Sequence, residues 1–206
     1  MDLNSMFQGL LSSGLGDQIG KMVGVEDTNQ TNSATETIFS TLMGAIQKNA
    51  STPEGAEALN NALERDHNGS ILDNLSGLFG GQVQPENPNT VNGAGILGHI
   101  FGNKQANVVN AVSQNTGLDS SKIISMMITM APIVMGMLGK AKQQTGADAN
   151  GLGNIIGSVL GGQAGGNPIM SILTNVLDKD GDGNVMDDLM GGGLGGMLGG
   201  LFGGKK

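Results

Sequence analysis

The sequence predicts an all-α, multihelical protein built from two internally related helical halves and closed by a flexible Gly-rich C-terminal tail. Three observations point that way. Apolar residues recur at helical spacing along most of the chain, and alternating strand patterns are hard to find. Residues 63–81, LERDHNGSILDNLSGLFGG, align without gaps with residues 177–195, LDKDGDGNVMDDLMGGGLG. A second stretch, Leu42–Leu63, parallels Val134–Ile156. Internal duplication accounts for both matches. The implied organisation is a first helical half over 1–82, a linker over 83–92, a second half over 93–189 ending in an acidic loop, and a tail over 190–206.

The elements follow in chain order. The opening MDLNSMFQGLLSSGLG lacks a basic segment and a sustained apolar core, so it does not read as a secretory signal. Ser33–Asn49 places Ile38, Leu42, Ala45 and Ile46 on one helical face, and Ser33 with Glu36 fits a capping box. Pro53–Arg65 begins with Pro in a first turn and carries Glu54 beside it. Val83–Asn92 holds Pro85 and Pro88 without apolar periodicity and reads as the linker. Gly95–Phe101 and Ala106–Val112 read as short helices. A longer helix starts at Asp119 or Ser120 and ends near Lys140 and Lys142, which suit a helix C-terminus. Its Ile123–Leu138 segment is apolar nearly all round, which predicts a central, buried helix. The segment is shorter than the ~20 residues of a membrane span, and Pro132 should kink it. Leu152–Leu160 and Ile169–Leu177 complete the set.

Composition narrows the function classes. The 206 residues are 38 % hydrophobic, with no Trp or Tyr, 5 Phe and 13 Met, so Met and Leu must fill a core without large aromatics. Gly numbers 37, and each interior Gly costs a helix about 1 kcal/mol relative to Ala, which predicts short helices. The net charge of −8 disfavours nucleic acid and anionic membranes, whose phosphates require Lys and Arg. There is no Cys, which excludes disulfides, thiol nucleophiles and Zn–thiolate sites. His67 and His99 are the only histidines, and neither HExxH nor GxSxG occurs. No catalytic constellation is predicted.

One stretch does carry chemistry. Residues 178–188, DKDGDGNVMDD, hold five Asp in eleven positions, and such crowding calls for a counter-charge. Calcium takes 6–8 oxygen ligands, and an EF-hand loop supplies them from positions 1, 3, 5, 7 and 12 with Gly at 6. Asp178, Asp180, Asp182, Gly183 and the Asn184 carbonyl fill positions 1, 3, 5, 6 and 7, and Val185 follows as the apolar anchor. Position 12 is Leu189, so closure falls to Asp188 first and Asp187 second, as in shortened calcium loops resembling those of dockerins. The competing reading is a solvated acidic turn ahead of a helix. The equivalent first loop offers Glu64, Asp66, Asn68, the Ser70 carbonyl and Asp73 as a weaker second metal loop, or a metal-free Asx-type turn.

The residues GAGILGHIFGNKQANVVNAVSQNTGLDSSKIISMMITMAPIVMGMLG, with HNGSILDNLSGLFGG and DKDGDGNVMDDL, resemble the bacterial domain-of-unknown-function 937 family, which includes YidB-like proteins. The resemblance covers roughly residues 1–190. It implies an all-helical bacterial protein and carries no established activity. In the family's first loop a DHDGS form is usual; here Asn68 replaces the second Asp, which removes a ligand charge. The expectation is a cytoplasmic structural or interaction protein, with a protein partner or self-association and a Ca2+ loop. The alternative is a metal-free self-assembling or membrane-associated protein that uses its Met-rich helix and Gly-rich tail.

Overall fold

The computed structural model describes residues 3–79 and 87–161, and every regular element among them is helical. In chain order these are α1 (Leu3–Ser12), α2 (Leu15–Val23), α3 (Thr28–Asn49), α4 (Pro53–Arg65), a 3-10 turn (Ser70–Asn74) and α5 (Leu75–Phe79). A second 3-10 turn (Pro88–Val91) leads to α6 (Gly93–Phe101), a third (Gly102–Lys104), α7 (Gln105–Thr116), α8 (Ser120–Thr145) and α9 (Ala149–Gly161). The proposed helix Ile169–Leu177, the acidic loop 178–188 and the Gly-rich tail lie outside the described residues.

Helices α3 and α8 pack against each other at the centre, and the other helices cover them. The two halves repeat more than sequence. Helix α2 lies on α3 as α7 lies on α8. Helix α2 also reaches α8, and α7 reaches α3; α1 touches α8, and α6 touches α3. Exchanging the halves leaves these relations unchanged, although α6 packs far more extensively on α8 than α1 does on α3, so α1–α3 and α6–α8 are related by an approximate pseudo-two-fold. Their punctuation repeats too. Helix α2 ends at Gly24 and α7 at Gly117, with left-handed φ of 68° and 72°, a conformation that Gly adopts without a Cβ penalty. Asp27 and Asp119 then hold the N-cap positions of α3 and α8.

The core runs through both long helices. Phe7 stacks on Phe39 with ring centroids 3.9 Å apart and planes 5° from parallel, which ties α1 to α3. Met126, Met127, Met130 and Met137 are fully buried on α8, where flexible thioethers fill space that larger aromatics would need. Helix α8 spans 26 residues, and in its most apolar 18-residue window, with mean hydropathy 1.6, 72 % of the residues are buried inside the fold. It is the buried central helix that its composition predicted, and it is long and apolar enough by itself to cross a membrane.

Three local readings change, and a fourth position shows how a proline is accommodated. Helix α3 begins at Thr28, five residues before Ser33, because the Asp27 carboxylate accepts from the Asn29 and Gln30 amides. Ser33 and Glu36 therefore sit inside the helix and form no capping box there. Residues 3–23, to which the sequence assigned no helix, form α1 and α2. In the stretch read as linker, residues 87–92 form a capped turn: Asn87 accepts from the Asn89 amide, and Asn92 caps α6 through the Gly95 amide. Finally, α8 continues through Pro132. Pro has no N–H to give to the Ile128 carbonyl four residues earlier. Gly93, at the start of α6, packs so close to that carbonyl oxygen that a Cβ would collide with it. A Cα–H contact thus meets the acceptor that Pro132 leaves free.

Candidate functional site

The first polar loop, residues 64–74, is the site that the structure describes in full. It joins α4 to α5 and lies on the outer face of α8. Local chemistry shapes it. Thr52 caps α4 by accepting from the Gly55 amide, with Pro53 in the first turn, and Asp66 ends the helix. Asn68 Oδ1 accepts from the Ser70 amide at 3.1 Å, the Asx turn expected of this residue. Gly69 adopts φ 96° and lies against Lys140 and the Gly136 carbonyl, so both its conformation and its surroundings exclude a side chain.

The loop is seated by two glycines of α8. A Cβ on Gly136 would collide with Ile71, and one on Gly139 would collide with the His67 carbonyl. The absence of side chains there lets the loop backbone approach the helix. Gln143 Nε2 then donates to the Asn68 carbonyl at 2.8 Å, and Thr90 Oγ1 donates to the Asp66 carbonyl at 2.9 Å. The turn at 88–91 is thus pinned to the same loop.

Each carboxylate of this loop meets its own protein cation. Lys142 Nζ lies 2.6 Å from Glu64 and, helped by the Asn60 amide, holds its carboxyl below the usual range. Lys140 Nζ lies 3.2 Å from Asp73. Arg65 Nη2 lies 2.6 Å from Asp66, its Nε bonds both carboxylate oxygens, and Asn87 Nδ2 donates to Oδ1 at 2.6 Å. The Arg65 guanidinium outweighs the opposing effect of burial, and the Asn87 amide adds to it, so Asp66 is lowered to about 2. His67 is 4 % exposed, and its Nδ1 has no hydrogen-bond partner among the described residues. Burial pushes its pKa below the ordinary value; Arg65 acts in the same sense and Asp66 opposes.

The sequence named Glu64, Asp66, Asn68, Ser70 and Asp73 as a weaker metal loop, and the fold spreads them over separate partners instead of one point. Among the described residues no group of three His, Asp or Glu is placed to hold a metal ion. The loop borders a small polar cleft of about 230 Å3 lined by Asn68, Gly69, Ser70, Asp73, Lys140 and Gln143. A larger, more enclosed cleft of about 470 Å3 between α2 and α3 carries Asp17, Lys21 and Glu26. His99 lies on α6, exposed. The sequence reading missed Lys140, Lys142, Gln143, Asn87 and Thr90 as loop partners, since only the fold brings them within reach. A signal for the seat was present in the small pair Gly136 and Gly139 within an otherwise bulky apolar run.

Asp178, Asp180, Asp182, Asn184, Asp187 and Asp188 lie outside the described residues. Their counterparts are known by alignment: Asp178 answers to Glu64, Asp180 to Asp66, Asp182 to Asn68 and Asp187 to Asp73.

Comparison with curated proteins and with solved structures finds no match. The family model described as bacterial protein of unknown function (DUF937) matches residues 2–141. That span takes in α1–α7 and nearly all of α8, hence the paired long helices, the first loop and the glycines that seat it. Helix α9 and the acidic loop follow it. With more than half its length matched, the chain belongs to the DUF937 family of bacterial proteins.

Proposed function

We propose that this chain is a non-catalytic structural or interaction protein whose second polar loop, 178–188, binds one Ca2+. The observation that carries this reading is the electrostatics of the first loop. There, Glu64, Asp66 and Asp73 are each neutralised by a cation, Lys142, Arg65 or Lys140. The aligned second loop carries Asp at all three positions and adds Asp182 and Asp188. Lys179 stands where the first loop has Arg65. Of the two α8 lysines that pair with the first loop, only Lys140 has a lysine counterpart 92 positions earlier on α3, Lys48, whereas Lys142 is answered by Ala50. A divalent ion supplies the missing charge. Hard carboxylate and carbonyl oxygens from Asp178, Asp180, Asp182, Asn184 and Asp188 or Asp187 suit Ca2+ better than Mg2+, which retains its water. The ion's role would be structural: it cancels repulsion and fixes the loop.

Thermal unfolding in Ca2+, Mg2+ and chelator tests it, on wild type and Asp182→Ala. At about 100 times Kd the ion stabilises by about 2.7 kcal/mol, or roughly 5–10 °C in a chain of this size. The shift should appear with Ca2+, be smaller with Mg2+, and vanish in Asp182→Ala. No calcium shift in the wild type at millimolar ion would sink the metal reading and leave the metal-free assembling protein. Light scattering on the same samples reads the association state.

A further inference from the structure

The first loop is seated on α8 by Gly136 under Ile71, Gly139 under the His67 carbonyl, and Lys140 against Gly69 and Asp73. The pseudo-two-fold relates α8 to α3. The caps set the register: Asp27 and Asp119 differ by 92 positions. The same shift carries Gly136 to Gly44 and Lys140 to Lys48. Met43–Gly44 repeats Met135–Gly136, so caps and sequence agree. Gly44 is buried, as is Ser40 one turn before it, and Lys48 lies in the last turn of α3. The chain also carries a second copy of the occupant. Residues 177–189 repeat 63–75, with Gly183 for Gly69, Val185 for Ile71 and Asp187 for Asp73.

We propose that the face of α3 bearing Gly44 and Lys48 is the docking surface for this chain's own residues 177–189, with Val185 seated over Gly44 and Asp187 facing Lys48. Charge supports the occupant, since the pairing repeats Lys140 with Asp73. Length supports it too. The described chain ends at Gly161 on α9, which itself packs on α3. Residues 162–176 reach at most roughly 50 Å, and still roughly 35 Å with 169–176 helical, against the roughly 33 Å length of α3. One position differs. Gln47 stands where α8 has Gly139, and its Cβ forbids the close carbonyl approach that His67 makes. The second loop has Gly181 in place of His67, so the seat is carried by Gly44 and Lys48. The docking follows from the repeat and does not rest on the ion.

The chain has no Cys, so an introduced thiol pair reports on proximity without background. Three double variants are treated with a short bismaleimide, in calcium and in chelator: Lys48→Cys with Asp187→Cys, Lys140→Cys with Asp73→Cys as the reference, and Glu26→Cys with Asp187→Cys as the mismatch. The first should link within one chain at a yield within about twofold of the reference and several-fold above the mismatch, in at least one buffer. Yields equal to the mismatch in both buffers, or links found only between chains, overturn the proposal. Charge reversal gives a second readout. Lys48→Glu and Asp187→Lys should each lower Tm, and the double reversal should restore it. A double variant that falls by the sum of the two losses overturns the pairing.

Discussion

Substituting Asp66→Asn isolates the charge that ties the first loop to its surroundings. The wild-type side chain is 6 % exposed and accepts from Arg65 and Asn87. Its carboxyl is lowered from 3.8 to about 2. A shift of that size corresponds to about 2 kcal/mol at about 1.36 kcal/mol per pH unit. Arg65 is 75 % exposed, so water screens the pair and the contribution falls to about 1–2 kcal/mol. The folded pKa lies below the unfolded one. The stabilisation is therefore complete above about pH 4 and is lost as pH falls towards 2. Asn keeps the shape and one acceptor while removing the charge. Urea unfolding should show wild type more stable by about 1–2 kcal/mol at neutral pH, with the gap closing by about pH 2. A gap that stays constant across that range, or is absent at neutral pH, refutes the electrostatic account and makes Asp66 a packing residue only.

Two further outcomes follow from the same structure. Gly93→Ala places a Cβ against the Ile128 carbonyl and should cost about 1–3 kcal/mol by urea unfolding; Gly98→Ala, on the exposed side of α6 with nothing within 4 Å, should be neutral or stabilising by up to about 1 kcal/mol. His67 is held neutral by burial, with its folded pKa below the unfolded 6.5, so its contribution is present above about pH 6.5 and is lost as pH falls. His67→Leu should remove that part of the pH dependence, and a Tm–pH slope between about 5 and 6.5 equal to that of wild type would contradict it.

Much of the helical plan was legible, and the gaps have physical causes. Helix α8 announces itself because an apolar run with caps and terminal lysines admits few other structures. The start of α3 was hidden by its polarity. Thr31, Thr35, Thr37 and Thr41 look like surface residues, yet all are buried, because each hydroxyl donates to the carbonyl four residues earlier in its own helix. Hydropathy does not register that self-satisfaction. Helices α1 and α2 were hidden by glycines that punctuate them, and their burial depends on α3 and α8. In the first loop, the sequence identified the acidic residues but not their counter-charges. Lys142 and Glu64 are 78 positions apart, and Lys140 and Asp73 are 67 apart; only the docking of α4 and the loop on α8 joins them.

The exchange of contacts between the halves has a consequence for synthesis. Helix α1 rests on α8, and α3 is completed by α6, α7, α8 and α9. When Asn49 has been added, the helix that must cover α3 ends 96 residues downstream, at Thr145. At translation speeds of about 5–20 residues per second, that interval is roughly 5–20 s. Throughout it Phe7, Phe39, Leu42 and Met43 have no α8 to close over them. A nascent first half on a neighbouring ribosome presents the same apolar surface. The architecture thus places its greatest demand on chaperones midway through translation, before the second half can supply the mate that the first half is shaped to receive.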